Sequence, residues 1–232
     1  ARARGVRAVT FCSRDEAGRL SPLEVAQVGW EAAQILAYVH EQGVIHRDLN
    51  ANNVMLELQA APGVNSTGRV KLPRAVRVTL IDFGNAELTE KFFSAASFRY
   101  LTPPESRTAI PDGGIHTLGW AAPEARAGRG WTTKSDVYSL GVLLYRLLTG
   151  KTPTSKAGEL VSPAVHAPAC PNDIAVAVLC ALNVDPAQRP TAAQLAGYFA
   201  DALTEDEVLD DEAAAEVADE TAPPARDRKS VV

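Results

Sequence analysis

The sequence predicts a mainly α-helical domain in which a few short β-strands surround a polar loop. Apolar residues recur at helical spacing in residues 21–43, 172–182 and 191–203. Residues 137–148 are apolar almost all round, which is typical of a helix at the centre of a helical domain. Three short apolar or alternating runs predict strands, at residues 44–45, 54–56 and 76–81.

The first helix has signals at both ends. Ser21 can cap the helix, Pro22 suits its first position, and the side chain of Glu24 can reach back to the amide of Ser21. Gly43 is expected to stop the helix, because glycine readily adopts the left-handed conformation in which helices end.

The later helices are delimited in the same way. Thr133 and Asp136 are predicted to form a second capping box, with Asp136 as the acid of the first turn. Gly150 is expected to end this central helix. The last helix is predicted to be capped by Thr191 together with Gln194.

Length and charge predict one domain followed by an acidic extension. The chain has 232 residues and a formal net charge of −5, and residues 204–220 hold nine acids and no bases. A chain of this length needs only one ordinary domain. We therefore expect an irregular lead-in over residues 1–20, a folded domain over residues 21–203 and a disordered tail over residues 204–232.

Composition argues against several functional classes. No apolar run approaches the ~18 residues that a membrane span needs, and no basic face suited to nucleic acid is apparent. The three cysteines, Cys12, Cys170 and Cys180, include no CxxC pair, and the four histidines do not group with them. Structural zinc and a disulfide framework are therefore not expected. A reduced intracellular compartment, the cytoplasm, fits best.

The residues suited to chemistry lie in two loops. Asp48 is followed five residues later by Asn53, in a polar loop flanked by strand-like pairs. Asp82 stands at the end of a buried strand, close to a glycine. Oxygen ligands from Asn53 and Asp82 would suit Mg²⁺ that carries a nucleotide polyphosphate. Asp48 would then remain free to orient a hydroxyl group and accept its proton.

In these two loops the chain resembles the protein kinase superfamily. The segment HRDLNANNV at 46–54 matches the catalytic loop H-R-D-L-x-x-x-N, and IDFG at 81–84 matches the D-F-G element. The resemblance covers about residues 20–203. It implies the helical C-terminal lobe of the protein kinase fold, with short β-strands around the catalytic loop and the D-F-G element.

Two further segments carry the same resemblance. HTLGWAAPE, which ends at Glu124, overlies the substrate-docking pattern G-T-x-x-Y-x-A-P-E, with Thr117 on its threonine and Trp120 on its aromatic residue. DPAQRP places Arg189 where the family has an arginine paired with the glutamate of A-P-E. The resemblance therefore implies an ion pair between Glu124 and Arg189.

The resemblance implies a catalytic group made of Asp48, Asn50 and Thr117, in which Asp48 is the base. Its cofactors are ATP and Mg²⁺, and its partner is a protein substrate. Metal ions would be held by Asn53 and Asp82. Beside them, Met55 would form the floor under the adenine.

The resemblance also implies how the catalytic loop is supported. His46 and Phe83 would stack in a regulatory column of side chains, and Asp136 would accept hydrogen bonds from the backbone around His46 and Arg47. Arg47 would be able to pair with a phosphate group on the activation segment.

Two departures from the family pattern bear on activity. No glycine-rich phosphate loop and no lysine–glutamate pair of an N-terminal lobe can be placed in residues 1–20, which would be a hinge-side remnant or an irregular lead-in. The chain alone is therefore expected to be inactive and to need its own N-terminal lobe as a partner. Asn50 stands where Ser/Thr kinases have lysine, and Asn52 stands where tyrosine kinases have arginine. Loss of such a charge commonly costs a few kcal/mol of barrier height.

A third departure is the length of the loops. Asn53 and Asp82 are 29 residues apart, and Asp82 and Glu124 are 42 residues apart. The long activation segment could supply the missing cation, from Lys91, Arg99 or Arg107.

Three functional hypotheses follow. In the first, the chain is part of a Ser/Thr protein kinase that transfers the γ-phosphoryl group of ATP to protein hydroxyls. In the second, it is a pseudokinase that serves as a binding or scaffold module, with Asn50 marking lost catalysis; retention of Asp48, Asn53 and Asp82 argues against this. In the third, it is a small-molecule phosphotransferase of the kinase-like fold, a group that lacks the A-P-E segment.

Overall fold

The structure is a computed structural model that describes residues 7–10, 20–58, 76–89, 91, 119–156 and 159–204. Thr117, most of the long segment 85–118 and residues 205–232 of the acidic tail predicted for 204–232 lie outside the described residues, whereas Thr204 is still helical.

Helices dominate the described part of the chain, as the apolar periodicity predicts. Two longer helices, α1 (Pro22–Glu41) and α3 (Thr133–Thr149), pack against each other. The shorter α-helices include α2 (Pro123–Arg126), α4 (Asn172–Ala181) and α5 (192–204). None of the described helices is long and apolar enough to cross a membrane.

The strands are short and antiparallel. A three-stranded sheet has the order β1–β3–β4, formed by Arg7–Thr10, Val54–Leu58 and Val76–Leu80. β2 (Val44–Ile45) pairs with β5 (Glu87–Leu88), and β6 (Ser155–Lys156) pairs with β7 (Glu159–Leu160).

The prediction of an irregular lead-in over residues 1–20 is wrong at one segment. Arg7–Thr10 forms strand β1, which pairs with β3 in the register Arg7↔Leu58 to Thr10↔Met55. A four-residue strand at a sheet edge needs no strict alternation of its own, because its backbone hydrogen bonds come from the neighbouring strand. Sequence pattern alone therefore gives little sign of it.

The ends of α1 agree with the prediction. The Oγ of Ser21 accepts a hydrogen bond from Glu24 N at 3.2 Å, and Ser21 N donates to Glu24 Oε2 at 2.8 Å. Gly43 follows the helix with φ +78°, a conformation that glycine adopts without strain. Thr191 and Gln194 form the same reciprocal pair at the start of α5.

The capping box predicted at the start of α3 is wrong by one residue. The cap is Thr132, whose backbone N–H donates to Ser135 Oγ at 3.0 Å, and Thr133 is already helical. Asp136 takes no part in the cap, because its buried carboxylate is used elsewhere in the fold. Adjacent threonines make the register of such a box ambiguous from sequence.

The core lies where α1, α3, α4 and α5 meet, and α3 is its centre. Two glycines allow the helices to approach closely. A Cβ added at Gly29 of α1 would lie 2.6 Å from the ring of Phe199 in α5. A Cβ added at Gly141 of α3 would lie 2.9 Å from Ala181 Cβ in α4. A side chain at either position would force the facing side chain or its helix to shift.

The predicted ion pair between Glu124 and Arg189 is present and buried. Arg189 Nη1 donates to Glu124 Oε1 at 2.6 Å, and Nη2 donates to Oε2 at 2.7 Å. The other three N–H groups of Arg189 donate to backbone carbonyls of Asn183, Lys134 and Val184. All five guanidinium donors are thus satisfied, which a buried arginine requires. This pair connects α2 to the segment between α4 and α5.

The surroundings of Glu124 also set its protonation. Burial alone would raise the pKa of Glu124, but hydrogen bonds from Arg189 and Ser135 and the guanidinium charge outweigh it, so that the pKa lies below the ordinary value of 4.5. The carboxylate therefore contributes stability above the pKa of the unfolded chain and loses that contribution as pH falls through the folded pKa.

Removal of the guanidinium should destabilise the fold strongly. Arg189→Ala leaves Glu124 charged and buried without its partner, which we expect to lower the free energy of unfolding by about 3–5 kcal/mol. Urea unfolding measures the change, with Arg129→Ala, an exposed arginine, as the matched control. Equal stability of the two variants would contradict the structural role of the pair.

The pair should also give stability a defined pH dependence. The difference in unfolding free energy between the wild type and Glu124→Gln should stay constant over roughly pH 6–8 and shrink as pH falls below about 4.5. Urea unfolding at a series of pH values measures it. A difference that grows toward acidic pH would show that the pKa of Glu124 is not lowered.

Candidate active site

The candidate site is formed by two loops that the strands bring together. One is the polar loop of residues 46–53, between β2 and β3, and the other follows β4. Ile81 N donates to Asn53 O at 2.9 Å, which continues the β3–β4 pairing into the loops. β5, directly after the second loop, pairs with β2, directly before the first. Both loops are therefore held at both ends.

The carboxylate of Asp136 holds the backbone of the first loop in place. This fully buried carboxylate accepts hydrogen bonds from His46 N at 2.8 Å and Arg47 N at 2.9 Å, as the resemblance implies. Arg47 has φ +67°, a left-handed conformation that is strained for a side chain of this size. The hydrogen bonds to Asp136 hold the backbone in that conformation.

A third contact to Asp136 comes from His40, which sequence reasoning missed. His40 Nε2 lies 2.9 Å from Asp136 Oδ2. His40 is in the last turn of α1 and Asp136 in the first turn of α3, so this contact joins the two helices at the base of the loop. The only signal in the sequence is a histidine near a helix end, which has no specificity.

His46 and Phe83 are in contact, as predicted. Their ring centroids are 4.6 Å apart, with the ring planes tilted by 48°. The buried His46 ring also bridges the loops, because Nε2 lies 3.2 Å from Ile81 O while Nδ1 accepts from Asp48 N at 3.4 Å. The tautomer with hydrogen on Nε2 satisfies both contacts.

Three carboxamides surround the carboxylate of Asp48. Asn50 Nδ2 donates to Asp48 Oδ1 at 2.9 Å and Asn53 Nδ2 donates to Oδ2 at 3.1 Å. Asn85, from the second loop, donates to the same Oδ2 at 3.3 Å. Asn85 was not among the sequence-predicted site residues, since a single asparagine after a D-F-G element has no distinctive pattern.

Asn50 lies inside the loop. It is 6% exposed, its amide also donates to Asp48 O at 3.1 Å, and its Oδ1 accepts from Asn52 N at 2.9 Å. The side chain that occupies the lysine position of the family pattern is therefore engaged with the loop itself.

Asn53 and Asp82 have oxygen atoms suited to a metal ion. The amide of Asn53 donates to Asp48 O at 2.7 Å and to Asp48 Oδ2, which leaves Asn53 Oδ1 without a hydrogen bond in the described part of the chain. Asp82 is exposed and has φ +61°, and its Oδ1 accepts from Gly84 N at 3.1 Å. Asn53 O accepts from Ile81 N, the residue before Asp82, and both side chains present hard oxygens, so they fit Mg²⁺.

No cage of three or more His, Cys, Asp and Glu side chains occurs among the described residues. Mg²⁺ commonly takes one or two protein ligands and completes its shell with water and phosphate oxygens, and Asn53 and Asp82 would be two such ligands.

Arg47 is paired with an acid inside the site. Its Nη1 lies 3.3 Å from Glu87 Oε2, and its guanidinium lies 5.9 Å from the ring centroid of Trp131. Glu87 is on β5, two residues after Asn85. Sequence reasoning did not predict this pair.

The structure also describes two further sequence-predicted residues, Met55 and Trp120. Met55 is half-buried on the middle strand of the three-stranded sheet, opposite Thr10 and Thr79. Trp120 is buried beneath the guanidinium of Arg146, at 4.5 Å, and its carbonyl accepts from Ser139 Oγ at 3.0 Å.

Comparisons with known proteins agree with this geometry. The family model described as "Protein kinase domain" matches residues 8–198. The chain is 40% identical to serine/threonine-protein kinase PknJ of Mycobacterium tuberculosis over 133 residues, which cover 57% of this chain and 18% of that protein. It is 32% identical to serine/threonine-protein kinase PkaA of Streptomyces coelicolor over 188 residues, which cover 78% of this chain and 30% of that protein.

A relative from a mammal shares the same region. Ribosomal protein S6 kinase alpha-3 of Mus musculus is 32% identical over 133 residues, which cover 57% of this chain and 14% of that protein. The chain thus spans less than a third of the length of these relatives. With a family model matched over residues 8–198, and the loops of Asp48 and Asp82 joined in one site, the chain belongs to the protein kinase domain family.

Proposed function

We propose that the chain forms the C-terminal lobe of a Ser/Thr protein kinase, which transfers the γ-phosphoryl group of ATP to hydroxyl groups of protein substrates. The observation that carries the proposal is the placement of Asp48: its loop is fixed by buried Asp136, and Asn53 and the loop of Asp82 lie beside it. The preference for Ser/Thr is supported by the names of the relatives, PknJ and PkaA among them.

In this function Asp48 orients the substrate hydroxyl and accepts its proton. Asn53 and Asp82 would hold Mg²⁺, which supplies neutralisation of phosphate charge when it is bound. The hydrogen bonds from Asn53 to Asp48 fix the base and the metal ligand relative to each other, because one side chain serves both. Positioning of this kind is a main source of rate enhancement in phosphoryl transfer.

The proposal includes a partner lobe. Met55 would lie under the adenine, and an N-terminal lobe would cover the nucleotide from the other side, so we expect the chain without that lobe to have little activity. The free thiols of Cys170 and Cys180 are consistent with a reducing, cytoplasmic location, which forms part of the proposal.

The role of Arg47 in this proposal depends on its present partner. A phosphate group on the activation segment would have to share the Arg47 guanidinium with Glu87, whose Oε2 lies 3.3 Å from Nη1. Glu87 already supplies a negative charge at that position, which supports a site that is formed without phosphorylation.

Loss of the Asp82 carboxylate should abolish transfer. Asp82→Asn in the full-length protein should lower kcat by roughly 100-fold or more, because it removes the negatively charged member of the proposed Mg²⁺ ligand pair. The thermal midpoint should change little, since the side chain is exposed and asparagine tolerates φ +61°. The assay is Mg²⁺-dependent phosphorylation of a Ser/Thr peptide, with the exposed Asp201→Asn as control. Wild-type turnover in Asp82→Asn would refute the metal assignment.

A substitution at Asn50 tests the kinase against the second candidate function, the pseudokinase. The pseudokinase is a candidate because Asn50 is neutral and its amide donates to Asp48. Asn50→Lys keeps an amino donor for Asp48 and adds a positive charge. If no other cation replaces the missing lysine, kcat should rise tenfold for each ~1.4 kcal/mol of barrier recovered.

The control for this change is Asn172→Lys, at an exposed position on α4. An active wild type that Asn50→Lys leaves unchanged would place the cation elsewhere, and alanine variants of Lys91, Arg99 and Arg107 would identify it. A wild type that binds nucleotide yet transfers no phosphate, and that Asn50→Lys does not rescue, would favour the pseudokinase.

A further inference from the structure

We propose that Asn85 is a positioning residue for Asp48 and that it leaves Oδ1 of Asp48 as the atom that accepts the proton of the substrate hydroxyl. The inference rests on the proposed function, since it assigns the atom at which the base acts.

The assignment follows from counting acceptor sites on the carboxylate. Each carboxylate oxygen has about two lone-pair directions for hydrogen bonds. Oδ2 accepts from two amides, Asn53 at 3.1 Å and Asn85 at 3.3 Å. Oδ1 accepts only from Asn50, at 2.9 Å, among the described residues. One acceptor direction on Oδ1 therefore remains for a substrate hydroxyl, and Oδ2 has none to spare.

The chemistry of the pair determines which end of the Asn85 amide faces Asp48. A carboxamide oxygen at 3.3 Å from a carboxylate oxygen would be repelled, whereas the amide nitrogen donates a hydrogen bond to it. The contact is thus attractive in only one orientation of the amide, and in that orientation it uses an acceptor direction of Oδ2.

The backbone places Asn85 at this point even though its side chain is exposed. Ala86 N donates to Phe83 O at 3.0 Å, which closes a turn with Asn85 inside it. Glu87, the residue after Ala86, is paired with Ile45 of β2, and Ile45 lies three residues before Asp48. The contact between Asn85 and Asp48 therefore joins two loops that are both connected to the β2–β5 strand pair.

The proton transfer fits this assignment. As the hydroxyl oxygen of the substrate bonds to the γ-phosphorus of ATP, the bond from that phosphorus to the bridging oxygen breaks and its electron pair leaves with ADP. The O–H bond of the substrate breaks, and its proton moves to Oδ1 of Asp48. With Asn85 removed, Oδ2 also becomes an acceptor, and the carboxylate can turn to orientations in which the hydroxyl is poorly aligned.

The test compares Asn85→Ala and Asn85→Asp with the matched control Asn172→Asp, all in the full-length protein with a Ser/Thr peptide and ATP. Asn85→Ala should lower kcat by roughly fivefold to tenfold, with the KM for ATP and the thermal midpoint unchanged. Asn85→Asp places a second carboxylate beside Oδ2. It should lower kcat further and move the acid limb of the kcat–pH profile to higher pH, because two neighbouring carboxylates hold a proton more tightly than one.

A purely structural role for Asn85 would not move the pH profile, and Asn172→Asp should leave it in place. If both Asn85 variants match the control in kcat and in pH profile while the wild type transfers phosphate, the positioning role is wrong and the proposed function stands. A raised KM for ATP with unchanged kcat would also overturn it, in favour of a nucleotide contact. A wild type and control that both transfer no phosphate would overturn the proposed function and this inference together.

Discussion

The site depends on one buried carboxylate. Asp136 accepts two backbone N–H groups from the catalytic loop and the imidazole of His40, so that it links α1, α3 and the loop at a single point. An unpaired carboxylate at this depth would cost several kcal/mol, and the three donors offset that cost. Because both backbone donors belong to adjacent residues, the acceptor fixes the direction in which the chain leaves β2. The orientation of Asp48, one residue further on, follows from it.

The second loop is fixed to the first by direct contacts between the two loops. Backbone pairing joins Ile81 to Asn53, the His46 imidazole reaches Ile81 O, and Asn85 reaches Asp48. These contacts hold Asp82 in a left-handed conformation at the surface. The core helices support the first loop through Asp136, and they support the second loop through β4, which packs against α1.

Much of the fold could be predicted because its signals are local. Caps at Ser21 and Thr191, the stop at Gly43 and the central apolar helix all depend on residues a few positions apart. The site residues that prediction missed take part in contacts between distant parts of the chain. His40 and Asp136 are 96 positions apart, and Asp48 and Asn85 are 37 apart. No local pattern shows which of many polar side chains will meet, so these contacts became visible only in three dimensions.

The neutral amides around Asp48 set the site apart from one built on an ion pair. A lysine beside the base would attract counter-ions, and its attraction to a carboxylate would weaken with added salt. Asn50, Asn53 and Asn85 have no charge to screen, and carboxamides do not titrate over the range in which proteins are folded. The hydrogen bonds from these amides to Asp48 should therefore weaken less with added salt than an ion pair at the same place would.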